Sequence, residues 1–117
     1  MKEFEHPSFE TIKLSDVLSA LGDPIRLAIM AKLHASDQET GWGTFEVAVG
    51  KATLSHHMKT LRMSGLIRHR KEGTRCFVAI RPELNDVYPG LLDSVLRASK
   101  RDQAMQIKAR ETLVAAQ

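Results

Sequence analysis

The chain has 117 residues, 43% hydrophobic and 26% charged, a composition typical of one folded domain with a modest core. Its single cysteine excludes an intrachain disulfide and any zinc site built from several cysteines. The sequence has no apolar run of about 18 residues and no apolar signal region at its start, so we expect a cytoplasmic protein without a membrane span.

Charge is distributed unevenly along a chain whose net charge is only +3. From Lys51 to Arg81, eight bases stand against the single acid Glu72, whereas the rest of the chain carries more acids than bases. A basic centre between acidic ends indicates that one surface faces a polyanion. A solvated charged face is the alternative interpretation of the same pattern.

The chain is expected to begin with a loose arm, residues 1–13, followed by a short helix. Ser15 and Asp16 would cap that helix, and Gly22 would end it. Such an arrangement predicts an irregular start and then a helix of about two turns.

A second helix is predicted over residues 24–35, with Asp23 as its N-cap. It is apolar almost all round, so we expect it to lie at the buried centre of the fold. Residues 36–43 are predicted to form a polar loop in which Trp42 fills the edge of the core. For residues 44–49 the pattern is compatible with one helical turn or with a short extended piece.

A short amphipathic helix is predicted between Gly50 and Gly65, with apolar residues at positions i, i+4 and i+7. Of the adjacent histidines, His57 is expected to face the core and His56 the other side. That side carries small, polar and cationic residues: Ala52, Ser55, His56 and Lys59, with Thr53 and Arg62 at its margins. Small side chains allow close approach to base edges, and a helix N-terminus favours a phosphate. We therefore predict that this helix reads DNA.

Residues 66–70 and 75–80 predict two strands joined by a glycine-containing turn. Cations at or beside the turn predict a phosphate or minor-groove contact: Arg68, Arg70, Lys71 and Arg75. A connector follows, and Pro89 is expected to stand at the start of a long final helix. Beyond Lys100 the apolar pattern thins, and the tail either extends the helix or frays.

Three motifs, in this order, resemble the ArsR-type (arsenical-repressor-like) bacterial transcriptional regulators: LGDPIRLAIM at 21–30, ATLSHHMKTLRMSGLI at 52–67 and RKEGTR at 70–75. The resemblance covers about residues 14–96. It implies a winged helix-turn-helix, mainly α with a small β-hairpin (α+β), with an arm at 1–13, the DNA-binding and dimerisation domain at 14–99 and a helical extension or tail at 100–117.

The resemblance also implies a homodimer on an inverted-repeat operator of double-stranded DNA, repressing until an unidentified signal releases it. Its first and last helices would form the dimer interface through Val17, Leu18, Leu91, Leu92, Val95 and Leu96. The base-facing positions would be Lys51, Ala52, Ser55 and His56, with Thr53 and Lys59 close by and residues 68–75 as the wing.

The chain departs from the metal-sensing members of that family. Residues 44–49 contain no cysteine, and residues 82–117 contain neither histidine nor cysteine, so the thiolate and imidazole ligands of those sensors are absent. We therefore expect no metal and no cofactor. Cys76 is interpreted as a small packed residue, although a redox effector acting through it is the alternative.

The sequence disfavours two other functional classes. A winged-helix module that binds another protein, with weak or lost DNA binding, is disfavoured by the basic segment. An enzyme is disfavoured because the sequence contains no nucleophile–base signature, no phosphate loop and no paired carboxylates in an apolar setting.

Overall fold

A computed structural model describes residues 4–36, 38–45 and 49–115, with side chains as far as residue 103. This part of the chain forms five α-helices and a three-stranded antiparallel sheet. The helices are α1 (Leu14–Leu21), α2 (Pro24–Ser36), α3 (Lys51–Met63), α4 (Glu83–Val87) and α5 (Leu91–Ala115). The strands are β1 (Thr40–Gly41), β2 (Ile67–Glu72) and β3 (Arg75–Ile80). The predicted class, mainly α with a small β-hairpin, is confirmed.

The first helix starts differently from the prediction and ends as predicted. Helix α1 begins after Lys13, and within the described residues no side chain caps it. Ser15 and Asp16 lie inside its first turn, so the prediction that they cap it is wrong. Gly22 follows its last residue and donates its backbone N–H to the carbonyl of Ser19 at 3.1 Å.

Helix α2 occupies the centre of the fold, as its apolar composition predicts. Asp23 is its N-cap, because one carboxylate oxygen accepts the backbone N–H groups of Ile25 at 2.8 Å and Arg26 at 3.1 Å. Its buried side consists of residues that are at most 1% exposed: Ile29, Met30 and Leu33. The helix thus supplies the surface against which α1, α3 and α5 pack.

The sheet has the order β1-β3-β2, with β3 in the centre. Strands β2 and β3 form the predicted hairpin, which turns at Gly73 with a φ of +60°. The prediction of a loop over residues 36–43 is partly wrong, because Thr40 pairs with Val78 and Gly41 with Phe77 to form β1. A strand of two residues is too short to show an alternating pattern in the sequence.

A single turn of 3-10 helix, Trp42–Thr44, follows β1 and leads towards α3. Residues 46–48 lie outside the described part of the chain, which leaves the choice between helix and extended chain over residues 44–49 untested. Trp42 packs against the edge of the core, as predicted.

The predicted glycine cap ends α3. Gly65 has a φ of +86° and donates its N–H to the carbonyl of Arg62, while the N–H of Leu66 reaches back to the carbonyl of Leu61 at 3.0 Å. This pair of bonds satisfies carbonyl groups that the helix end would leave unpaired. The chain then enters β2 after only three residues.

The connector predicted after β3 contains an additional helix, α4. The final helix, α5, begins at Leu91, two residues after Pro89, and Gly90 precedes it with a φ of +74°. Its 25 residues make a rod of roughly 37 Å. Helix α5 continues to Ala115, so the chain beyond Lys100 extends the helix at least that far.

One hydrophobic core joins the helices and the sheet. Leu84 from α4 and Leu96 from α5 are 2% and 4% exposed, and Val17 from α1 is fully buried. The other apolar residues at the start of α5 pack against this core while remaining partly exposed: Leu91, Leu92 and Val95.

The N-terminal arm, residues 4–12, lacks regular secondary structure, as predicted, but it is not loose. Arg81 donates from Nη1 to the carbonyl oxygen of Pro7 at 2.6 Å. The hydroxyl of Tyr88 lies 3.5 Å from the carbonyl oxygen of Ile12. These contacts hold the arm along the body of the domain.

Candidate nucleic-acid interface

The exposed side of α3 is small, polar and cationic, as predicted. Its small, polar and cationic residues are Lys51, Ala52, Thr53, Ser55, His56 and Lys59, and Met63, which is 47% exposed, adds an apolar side chain at the C-terminal end of the helix. Gly50 is the N-cap, and no side chain within the described residues caps the first turn. The first backbone N–H groups of α3 therefore face outwards at the positive end of the helix dipole. This surface suits a phosphate at the helix start and base edges beyond it.

The opposite side of α3 is anchored in the core. Met58 and Leu61 are fully buried, and His57 is 8% exposed. Nη1 of Arg26, on α2, lies 3.1 Å from Nδ1 of His57. Because a guanidinium only donates, Nδ1 of His57 accepts this bond. The predicted division of the histidine pair is confirmed: His57 faces inwards and His56 is exposed.

The four predicted wing cations are all exposed: Arg68, Arg70, Lys71 and Arg75. Arg70 differs from the others because carboxylates hold it. Its Nε and Nη2 donate to the two oxygens of Glu39 at 2.7 and 2.6 Å, and its Nη1 donates to Glu72 at 2.8 Å. Its guanidinium also lies 4.5 Å from the ring centre of Phe77.

This arrangement neutralises Arg70 within the protein. Hydrogen bonding from Arg70 lowers the pKa of Glu39, and the bonds to both carboxylates raise the pKa of Arg70. No ion pair within the described residues involves Arg68, Lys71 or Arg75. These three side chains thus present the unpaired charge of the wing.

Arg62 does not join the exposed side of α3. Its Nη1 lies 3.3 Å from Nδ1 of His69, on β2, and its guanidinium carbon lies 4.8 Å from the ring centre of Phe4 in the arm. Burial lowers its pKa. The side chain therefore packs where α3, β2 and the arm meet, although the helical pattern assigned it to the margin of the polar side.

His69 is the centre of an aromatic cluster that the sequence did not predict. Its ring stacks on Phe4 at 3.7 Å and contacts Trp42 at 5.0 Å. Its backbone N–H donates to Nε2 of His6 at 2.9 Å. The side chain is 4% exposed, and burial, with a smaller contribution from Arg62, lowers its pKa to about 4. An uncharged imidazole thus joins the arm to the start of the wing.

A signal for this cluster was present in the alternation of β2. Buried and exposed residues alternate at the start of β2: Ile67 and His69 are buried, and Arg68 and Arg70 are exposed. Period-two alternation assigns His69 to the same face as Ile67, which is the core face. Its partners in the arm lie more than 60 residues away in the chain and carry no local signal. Glu39 was also not predicted, because its partner Arg70 is 31 positions away in the chain.

The described residues contain no group of three or more His, Cys, Asp or Glu side chains placed to hold a metal ion. Cys76 is free and half-buried on β3, opposite Lys71. None of the helices in the described ranges has the length and hydropathy needed to cross a bilayer.

No protein-family model matches the chain. Over 97 residues it is 36% identical to YceK, an uncharacterized HTH-type transcriptional regulator of Bacillus subtilis, across 75% of this chain and 97% of that protein. The chain belongs to the HTH-type transcriptional regulators. A second member, MJ1325 of Methanocaldococcus jannaschii, is 33% identical to this regulator over 69 residues, which are 58% of this chain and 78% of that protein.

Solved structures agree with this assignment. HlyU from Vibrio cholerae superposes on the regulator with a TM-score of 0.57 and 25% identity, over 72% of this chain and 88% of that one. An ArsR family transcriptional regulator superposes with a TM-score of 0.52 and 21% identity, over 89% and 97% of the two chains. The winged helix-turn-helix fold is confirmed, and with it the resemblance in fold to ArsR-type proteins. The protein is a DNA-binding transcriptional regulator and not an enzyme.

Proposed function

We propose that the regulator is a homodimeric repressor that binds an inverted-repeat operator and leaves it in response to a signal. One observation carries the DNA-binding part of this proposal. The small, polar and cationic side of α3 is entirely exposed, and it continues in the chain into a wing whose unpaired charges are all positive. Such a surface matches the phosphates and the major groove of duplex DNA.

We assign the roles on α3 according to size and charge. Ala52, Ser55 and His56 face base edges, because their side chains are short or planar and capable of hydrogen bonding. The other exposed polar residues of the helix, Lys51, Thr53 and Lys59, lie near phosphates or at the margin of the groove. Arg62 is left out of the DNA-binding set because its guanidinium packs against Phe4 and His69.

The wing contributes Arg68, Lys71 and Arg75 as contacts to phosphates or the minor groove. Arg70 contributes only by exchanging Glu39 and Glu72 for a phosphate, since its donors are already engaged with these carboxylates. Both carboxylates are exposed, so the exchange takes place in water and not in the core.

Dimerisation is proposed through α1 and α5. Leu18 on α1 is 46% exposed, and Leu14 one turn earlier is 44% exposed. The partly exposed residues Leu91, Leu92 and Val95 supply the contribution of α5. Val17 and Leu96, which were expected in this interface, already belong to the core of the single chain, so we omit them. A two-fold dimer would set its α3 helices into major grooves one helical turn apart.

A repressor of this kind would occupy a promoter. It would act in the cytoplasm, because the chromosome lies there. A small-molecule or redox effector would release the repressor from DNA by favouring its DNA-free state over its DNA-bound state. We propose no cofactor and no resident metal ion.

Titration with salt tests the proposed function. Affinity for duplex DNA from upstream of the coding region should exceed affinity for random duplex and fall with salt, with a log–log slope of roughly −0.9 per phosphate contact. Equal affinity for both duplexes, or an affinity that does not change with salt, would remove the repressor proposal and favour a protein-interaction module.

Two single substitutions separate base contacts from phosphate contacts. Lys71→Ala should weaken binding to all duplexes alike and reduce the salt slope by about 1, whereas His56→Ala should also lower the ratio of specific to random affinity. Filter binding or fluorescence anisotropy measures both quantities. Identical losses on specific and random DNA for both variants would contradict the assigned roles.

The dimer interface is tested by Leu18→Glu, with Ser19→Glu, about 100° away around the same helix, as the matched control. Both side chains are exposed in the single chain, so neither substitution should unfold it. Leu18→Glu should shift the sedimentation profile to the monomer and lower operator affinity, because a carboxylate would be buried in an apolar contact. If both variants dimerise like the wild type, α1 is not the interface.

A further inference from the structure

A small cavity lies on the side of the domain away from the wing turn, where α2, the end of β3, α4 and α5 meet. Its volume is about 180 Å³. Ile80, Leu84 and Leu92 supply apolar wall, and His34, Arg81 and Tyr88 supply polar groups. The size suits a molecule smaller than the usual drug-sized ligand.

Two side chains of this cavity can donate hydrogen bonds to an anion: the guanidinium of Arg81, which only donates, and the hydroxyl of Tyr88. The side chain of Arg81 is only 12% exposed, and its Nε lies 3.5 Å from the exposed carboxylate of Glu83. No hydrogen bond of its Nη2 to a residue in the described ranges is present. A shielded guanidinium beside an apolar wall is suited to a carboxylate that carries a short alkyl chain, since charge-assisted bonds to guanidinium are strong and the chain is removed from water.

The same donors hold the N-terminal arm. Nη1 of Arg81 donates to the carbonyl oxygen of Pro7 at 2.6 Å, and the guanidinium lies 4.3 Å from the ring centre of Phe9. The hydroxyl of Tyr88 lies 3.5 Å from the carbonyl oxygen of Ile12. A carboxylate that binds Arg81 and Tyr88 therefore competes with the backbone of the arm.

The arm in turn supports the junction between α3 and the wing. Phe4 covers the contact between Arg62 and His69, and His6 accepts the backbone N–H of His69. Ile12 packs so closely on Gly65, at the end of α3, that a Cβ there would lie 2.2 Å from its Cδ1. Loosening the arm removes these contacts from the two elements proposed to touch DNA.

We propose that the cavity beside Arg81 and Tyr88 is an effector site for a small aliphatic carboxylate, whose binding displaces the arm and weakens DNA binding. The effect on DNA rests on the proposed repressor function. The binding of the carboxylate in the cavity does not depend on that function. Because the coupling is reciprocal, DNA should weaken carboxylate binding by the same factor.

Butyrate and butyramide, which have nearly the same shape, are the probes. Each is added to the full-length protein with sodium chloride adjusted to constant ionic strength, because DNA affinity itself depends on salt. The first readout needs no DNA: fluorescence of Trp42, the only tryptophan, whose ring lies 5.0 Å from that of His69. The second readout is affinity for the preferred duplex.

Butyrate should change the Trp42 fluorescence in a saturable manner and lower DNA affinity by at least about fivefold, the lower range of allosteric coupling. Butyramide should do neither. Ile80→Phe, which fills the cavity while Arg81 itself is unchanged, should abolish both responses, and its unfolding midpoint shows whether it is folded. Equal effects of the two probes, a butyrate response that persists in folded Ile80→Phe, or binding that leaves DNA affinity unchanged would each overturn the proposal.

The comparison within the wild type, butyrate against butyramide, decides the matter if Ile80→Phe does not fold. Should the wild type bind no DNA, the repressor function fails. The fluorescence titration then still supports or overturns the carboxylate site alone.

Discussion

Gly65→Ala is expected to lower the free energy of unfolding by about 2–3 kcal/mol. Roughly 1 kcal/mol arises because the φ of +86° is strained for any residue with a Cβ. A further 1–2 kcal/mol arises because the new methyl group would lie 2.2 Å from Cδ1 and 3.0 Å from Cγ1 of Ile12, which forces the arm to shift. Denaturant titration monitored by circular dichroism measures the change.

Gly73→Ala is the matched control, since its φ is also positive, at +60°, and nothing lies within 4 Å of a Cβ built there. It should cost about 1 kcal/mol, the strain alone. Ile12→Ala should recover part of the loss caused by Gly65→Ala and have no influence on Gly73→Ala. If the energies of Gly65→Ala and Ile12→Ala simply add, the arm does not press on the end of α3.

Stability is expected to fall by about 2 kcal/mol between pH 7 and pH 5 because of His69 alone. Burial lowers the pKa of this imidazole to about 4, from about 6.5 in an unfolded chain. Between about pH 6.5 and pH 4, this imidazole is therefore protonated in the unfolded chain and uncharged in the folded protein. The contribution is complete above pH 6.5 and is lost as the pH falls through this window.

His69→Phe is the variant that tests this assignment, because phenylalanine retains an aromatic ring beside Phe4 and Trp42 and does not titrate. Its absolute stability is expected to change, since Nη1 of Arg62 loses its acceptor. The informative quantity is the slope of unfolding free energy against pH, which should flatten between pH 5 and pH 6.5. Burial also lowers the pKa of His6, which leaves a smaller slope of the same sign. An unchanged slope would show that His69 is not the responsible group.

Most of the fold was predictable because its signals are local. Asp23 at the start of α2, Gly65 at the end of α3 and the turn at Gly73 are each fixed by backbone hydrogen bonding or by a positive φ. The apolar spacing of α3 also identified its buried side correctly, including the inward His57. These features depend on residues within a few positions of one another, which is the range that sequence periodicity reports.

The features that were missed depend on partners distant in the chain. Glu39 pairs with Arg70, and Phe4 stacks on His69, across 31 and 65 positions respectively. Arg62 has the spacing of a surface residue, and only the docked arm turns it away from solvent. The candidate interface was therefore identified as a surface, whereas the contacts that withdraw Arg62 and engage Arg70 required the three-dimensional structure.

The central position of β3 has a consequence for the spacing of DNA contacts. Helix α3 lies in the chain between β1 and β2, and both of these strands are hydrogen-bonded to β3. The strands before and after this helix are thus both bonded to β3, and the wing turn joins β2 to the first residue of β3. On a proposed operator, one base pair inserted between the positions touched by α3 and by the wing would shift the second target by about 3.4 Å and a tenth of a turn. The DNA would have to twist or bend to restore the match, because only three residues separate α3 from β2 and the N–H groups of Gly65 and Leu66 bond back to the end of the helix.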